Sequence, residues 1–164
     1  MLVPAVLYKE DIQTLYKAYY YSNDMTYFSG WLGTYEIDIP DDVSDCSFHY
    51  AIIDNNNNLI GYFTYKIDWY SSQVYNFGLF AFKRNNFIVG LDVRKEIRKI
   101  IEQYHIHRIE WCMVGGNPVE KHYDKFCERY NGKKFIFTDS IRDRSGKYHN
   151  NVTYEIIFNE EGGI

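Results

Sequence analysis

The side chains able to do chemistry are scattered rather than gathered into one motif. His105 and His107 stand two apart, a spacing that could bring two imidazoles to a metal, but no cysteine or carboxylate nearby completes a set, so no metal site is expected. Cys46, Cys112 and Cys127 are odd in number, widely spaced and free of any Cys-x-x-Cys pair, which indicates neither a disulfide framework nor a zinc knuckle. No Gly-x-Ser-x-Gly elbow and no P-loop occurs, against hydrolase and nucleotide-triphosphatase chemistry. Acid–base and anion-binding groups remain: the carboxylates Asp68 and Glu110, the phenol of Tyr123, the basic pair Lys83-Arg84 and the amide of Asn117. Each has a plainer use. Asn117, Pro118 and Glu120 read as a helix start, with Asn in the capping position. Tyr123 reads as a core ring with its hydroxyl at the edge, Lys83-Arg84 as a solvated turn, and Cys112 beside Trp111 as a small buried hydrophobe. Glu110 alternates with Trp111, so only one of them points inward.

The elements that must position these groups follow from periodicity. Ile12, Leu15, Tyr16 and Tyr19 recur at the spacing of an amphipathic helix over 11–20. Two aromatic and β-branched runs, 48–53 and 59–65, flank Asp54-Asn55-Asn56-Asn57-Asn58 and predict a β-hairpin, since Asn and Asp tolerate left-handed backbone. A third strand is expected over 74–82. A helix follows over 90–104, with Val93, Ile97, Ile100 and Ile101 on one face and the solvated run Arg94, Lys95, Arg98, Lys99 on the other. Then come a strand over 108–114, a helix after Asn117 carrying Val119, His122, Tyr123, Phe126, Cys127 and Tyr130, and two strands over 134–139 and 152–158 joined near Arg144-Ser145-Gly146. The stretch 21–45 shows no clear period.

Composition bounds what such a chain can do. Its 164 residues imply one domain, and 46% hydrophobic content suffices for a core. Eighteen Lys plus Arg against 22 Asp plus Glu give a net charge of −4, which disfavours a nucleic-acid or anionic-membrane surface as partner. No apolar run reaches a membrane span of about 18 residues. The start, MLVPAVLYKED, lacks the basic region of a signal peptide, so the expected location is the cytoplasm. The outlier is aromatic content: 17 Tyr, 11 Phe and 3 Trp. These rings could stack bases or sugars, but those assignable by periodicity, among them Tyr16, Tyr62, Phe80, Phe135 and Phe137, belong to helix faces and strands and read as core or rim.

Five local motifs lie in one order: Ile67-Asp68, Asn76-Phe77-Gly78-Leu79, Ile106-His107-Arg108-Ile109-Glu110, Asn117 with Tyr123, and Asp143 through Tyr148. In that order and near that spacing they resemble the GNAT superfamily of acetyl-CoA-dependent N-acetyltransferases, most nearly its ribosomal-protein and polyamine branch. The resemblance implies an α/β (α+β) fold over 1–164: a mixed, mostly antiparallel sheet of six to seven strands, flanked by about four helices, with a V-shaped split between two central strands, here 74–82 and 108–114. It implies acetyl-CoA as cosubstrate, its pantetheine arm lying in that split like an added strand. It places cofactor contacts at Phe80, Phe82, Arg84, Asn85, Asn86, Val89, Gly90 and Asn117, and Tyr123 as the acid that protonates the leaving thiolate. The acceptor would be a primary amine of a small molecule or a protein N-terminus, attacking directly in a ternary complex. Such chains often form homodimers.

Two departures set the alternatives. The family's phosphate loop carries glycines where this chain has Phe87 and Val89, which should crowd a pyrophosphate or hold the amides in another geometry. Tyr123 also falls one residue short of the family spacing from Asn117, about 100° around a helix. A GNAT-fold protein that has lost acetyl transfer and binds a ligand or partner is therefore the rival reading.

Overall fold

The Asn-rich loop builds the first hairpin as expected. The Asp54 carboxylate accepts from the Asn56 and Asn58 amides, both at 2.9 Å, while Asn57 takes a left-handed φ of +60°. Below it, Ser47–Ile53 and Leu59–Asp68 pair antiparallel from Ser47↔Lys66 to Ile53↔Leu59. The computed structural model describes residues 1–22, 30, 36–42, 44–83 and 86–158. In chain order the elements are β1 (Leu2–Pro4), a 3₁₀ turn (Ala5–Tyr8), α1 (Lys9–Tyr20), β2 (Ser47–Ile53), β3 (Leu59–Asp68), β4 (Gln73–Ala81), α2 (Phe87–Tyr104), β5 (Arg108–Val114), α3 (Glu120–Arg129), β6 (Lys133–Arg142) and β7 (Tyr148–Ile157).

The seven strands form one sheet in the order β1-β2-β3-β4-β5-β7-β6. Every pair is antiparallel except β4–β5. This is the mixed, mostly antiparallel α/β architecture expected, with three α-helices and one 3₁₀ turn among the described residues rather than about four helices. Strand β1 has no counterpart in the expected elements, because three residues carry no period; Pro4 is tolerated there since β1 is an edge strand. Helix α2 starts at Phe87 rather than Gly90, because the Asn86 side chain caps it by accepting from the Ile88 amide at 3.0 Å.

Alternate strand residues face two cores. Phe63, Tyr65 and Ile67 of β3 join Val89, Val93 and Ile100 of α2 and Trp111 of β5 in one core. Tyr62 of β3 and Phe80 of β4 meet Ile12 and Tyr16 of α1 in the other. The aromatic excess is largely spent here: Tyr16 meets Phe80 edge-on with centroids 5.2 Å apart, and Phe48 stacks on Tyr65 at 4.8 Å. Burial pushes the Tyr16 phenol up to about 12. Phe135 and Phe137 fall at the rim rather than in the core: β6 is an edge strand, and both rings are about half exposed.

Two polar networks pin the helices and strands. Glu96 of α2 is 9% exposed, and its carboxylate accepts from the Tyr65 hydroxyl at 2.7 Å and the Tyr50 hydroxyl at 3.4 Å. His49 of β2 shares hydrogen bonds with the Tyr62 hydroxyl at 2.6 Å and the Ser47 hydroxyl at 2.8 Å. Burial lowers the pKa of His49, opposed by the charge of Asp38. Below about pH 6.5 the unfolded chain therefore takes up a proton that the folded chain resists, and stability falls as pH drops through and below that value. Melting between pH 7.5 and 5.5 should show a larger loss for the wild type than for His49→Gln; equal losses would remove His49 as the cause.

Candidate functional site

The site begins where β4 and β5 part. They pair in parallel only at Gln73↔Arg108 and Val74↔Ile109. Beyond Val74, β4 carries one extra residue: Lys66 opposes Tyr75 but Thr64 opposes Gly78. Asn76 takes a φ of +55° in that bulge, a conformation Asn tolerates. A bulge bends its strand, and here it turns β4 away from β5 to open a V-shaped split.

Ladder alternation decides which main-chain groups face the split. Phe82 donates its N–H to Ile60 of β3 at 3.0 Å, so Phe82, Phe80 and Gly78 bond toward β3, and the N–H and C=O of Leu79 and Ala81 turn into the split. On β5, Gly115 donates to Asn150 at 2.8 Å, so the odd-numbered residues serve β7 and the main chain of Cys112 and Val114 faces β4. The split is thus walled by two sheet edges, the setting in which an extended ligand adds as a strand. Phe80 and Phe82, expected among the cofactor contacts, turn their main chain to β3, whereas Leu79 and Ala81 turn theirs to the split. The shift of one residue follows from the bulge, which inverts the alternation beyond Asn76 and leaves no mark in a hydrophobic pattern.

At the wide end of the split, β4 leads to the start of α2. Arg84 and Asn85 lie outside the described residues. Asn86 holds the Ile88 amide through its side chain. Val89 turns inward to the core and so does not crowd the surface, whereas the Phe87 ring is 74% exposed. Gly90 is exposed, and a Cβ there would meet nothing within 4 Å. Packing does not require this glycine. Gly90→Ala should therefore stabilise the free protein by about 0.5–1 kcal/mol and raise its melting temperature by about 1–4 °C. If phosphates approach its backbone, the extra shift caused by CoA should shrink in the same thermal assay.

Across the split, Asn117 is 6% exposed and its side-chain oxygen accepts from the Val119 amide at 3.0 Å. Glu120 reaches back to the Gly116 amide at 3.2 Å, a capping-box pattern one residue earlier than expected. Tyr123, one turn into α3, meets the Trp111 ring edge-on at 5.9 Å and the Tyr154 ring at 5.9 Å. Trp111 settles the alternation left open by sequence: it lies beneath α3, stacked on Tyr154 at 5.0 Å, while Glu110 points to the opposite face. The Trp111 indole N–H is buried with no hydrogen-bond partner among the described residues.

Neither candidate carboxylate is unengaged. Arg108 closes the narrow end of the split, binding Glu110 at 2.5 Å, Glu155 at 2.8 Å and Gln73 at 3.0 Å. Asp68 caps the β3–β4 turn through Ser71 and the Tyr70 amide, and those hydrogen bonds lower its pKa. The histidine pair is used separately: His105 ends α2 in a left-handed conformation, and His107 Nδ1 bonds the Phe158 carbonyl at 3.0 Å. Burial, reinforced by the charge of Glu110, raises the Cys112 thiol, which keeps it neutral rather than nucleophilic.

The fold has known counterparts. A family model for the acetyltransferase (GNAT) domain matches residues 5–137, and the chain belongs to that family. Among solved structures, the spermidine/spermine N-acetyltransferase SpeG of Vibrio cholerae is similar at a TM-score of 0.55 and 14% identity, over 69% of this chain and 66% of that one. A chain described as "Probable acetyltransferase" is similar at a TM-score of 0.53 and 18% identity, over 69% of this chain and 63% of that one. The chain thus spans about two thirds of these relatives, and at such identities the likeness is one of fold. No curated protein matches the sequence.

Proposed function

We propose that the chain transfers an acetyl group from acetyl-CoA to a primary amine. The observation that carries this reading is the split: two parted strands that turn the main chain of Leu79, Ala81 and Val114 toward each other, the arrangement into which a strand-like ligand adds. The start of α2, with Asn86, Gly90 and the neighbouring Arg84 and Asn85, is the place for the phosphates. Asn117, opposite, would bond the arm. The amine nitrogen attacks the thioester carbonyl carbon, the C–N bond forms and the C–S bond breaks; the amine proton leaves to water or a base, and the thiolate takes a proton from Tyr123.

The acceptor side is the α1 face, where Arg144 of the β6–β7 turn lies over Tyr21 at 4.2 Å and over Tyr20 at 5.0 Å. An amine acceptor agrees with the named activity of SpeG. A homodimer and a cytoplasmic setting belong to the same reading. The first is supported by the half-exposed Phe135, Ile136 and Phe137 on edge strand β6, the second by the three free cysteines. No helix among the described residues is long and apolar enough to cross a membrane.

Isothermal titration with acetyl-CoA tests the reading, and an absence of heat at millimolar cofactor would sink it. One observation favours the rival: the Asn86 side chain already holds the Ile88 amide, and no glycine stands at 87 or 89. A GNAT fold without acetyl transfer would show that absence of heat.

A further inference from the structure

Gly30 stands in the plane of the sheet between the two parting strands. Its N–H donates to the Cys112 carbonyl of β5 at 2.9 Å. On its other side, a Cβ built on Gly30 would lie 2.3 Å from the Phe77 carbonyl oxygen and 2.8 Å from Gly78 Cα, both on β4. Its φ is +110°, in the left-handed region that favours glycine. Space and backbone conformation therefore each demand a residue with no side chain. Gly30 thus bridges the V, hydrogen-bonded to Cys112 of β5 and packed against Phe77 and Gly78 of β4.

The position of that bridge along the split gives it a consequence. The split is closed at Val74–Ile109 and wide at Ala81–Val114, and the chain leaving Ala81 leads to the start of α2. A donor with its phosphates at α2 enters from the wide end and points its acyl group toward the closed end. It passes Ala81 and Leu79, whose main chain faces the split, first, and then meets Gly30 at the level of Gly78. At about 3.3 Å per residue, that track is about 10 Å long. Its end is walled by the backbone of Gly30, by Phe77 and by Cys112. We infer that Gly30 is the depth stop of the acyl site and restricts the donor to short acyl groups such as acetyl. This inference rests on the split being the acyl-CoA site.

A backbone held by a hydrogen bond on one side and by packing on the other has little room to yield. Each methylene added to the acyl group should then cost about tenfold or more in affinity. The test is a titration of the wild-type protein with CoA, acetyl-CoA, propionyl-CoA and butyryl-CoA in the absence of acceptor. CoA and acetyl-CoA should bind alike, propionyl-CoA about tenfold more weakly and butyryl-CoA more weakly still. Equal affinities for acetyl-CoA and butyryl-CoA would overturn the depth stop and leave the donor reading intact; failure of all four to bind would overturn both. Gly30→Ala forces the residue out of the V, so the acetyl-to-butyryl ratio should fall below about threefold. An unchanged ratio in the folded variant overturns the assignment, and if the variant does not fold the wild-type series decides alone.

Discussion

Replacing Glu96 by alanine should cost about 2–4 kcal/mol of stability and lower the melting temperature by roughly 5–12 °C. The carboxylate is the acceptor for two phenols from two strands, Tyr65 of β3 and Tyr50 of β2, while its own backbone belongs to α2. Tyr65 is fully buried, and burial pushes its phenol far up, so it is a donor at any working pH. Without Glu96 that hydroxyl has lost both water and its partner, and the cost is the desolvation of an unmet donor added to a lost charge-assisted hydrogen bond. Lys99 adds little: its Nζ lies 3.4 Å from Glu96 but its side chain is 41% exposed, so water replaces the pair. Glu96→Gln keeps an acceptor for Tyr65 and should cost about 1 kcal/mol. Tyr65→Phe in the alanine background should recover part of the loss, because the orphan is then gone. Urea unfolding of the four proteins measures this. A loss below 1 kcal/mol for Glu96→Ala would mean that water reaches Tyr65 from the side of Phe87 and Asp92.

Much of this framework is legible in the sequence. The hairpin around Asp54–Asn58 is local chemistry, since one carboxylate meeting the amides two and four residues on needs nothing from the rest of the chain. Helices with a strong apolar stripe, 11–20 and 90–104, fell within a few residues of α1 and α2. The misses occurred where tertiary structure overrides pattern. Strand β1 exists only because β2 offers it an edge. The exposure of Phe135 and Phe137 follows from β6 lying last in the sheet, which a strand's own residues do not announce. Phe87 and Val89 looked alike as intruders in a loop, yet a helix start one turn earlier sends Val89 to the core and Phe87 outward.

The site was legible in kind but not in register. The split itself was expected between 74–82 and 108–114, and it opens there. Which main chain lines it depends on one inserted residue at Asn76, and an insertion of one inverts every later contact on β4. Gly30 had no signal at all, since a glycine in an unpatterned stretch has no period and its role comes from strands about 50 and 80 residues away in sequence. Glu110 looked like the inward residue's equal until Trp111 was seen beneath α3, and the carboxylate on the other face went to Arg108.

Tyr123→Phe is the substitution that separates chemistry from packing. Its ring meets Trp111 and Tyr154 edge-on, and phenylalanine keeps both contacts and the fit under α3. Only the hydroxyl is lost, so the melting temperature should move by no more than a few degrees and the affinity for acetyl-CoA should hold. If that hydroxyl protonates the departing thiolate, kcat should fall about 100-fold, the ordinary worth of one positioned acid. The fall should appear in kcat with KM for the amine unchanged, because the proton is transferred only as the C–S bond breaks. The one-residue shortfall in spacing from Asn117 argues against this role; the placement of Tyr123 one turn into α3, over Trp111 of the strand β5 that borders the split, argues for it. A kcat within twofold of wild type would assign the proton to water and leave Tyr123 as the ring that seats Trp111. Trp111→Phe would then be the informative partner, since it removes the buried indole N–H while keeping a ring on Tyr154. Weakened acetyl-CoA binding with unchanged kcat in that variant would place the indole on the arm of the cofactor rather than on the reacting atoms.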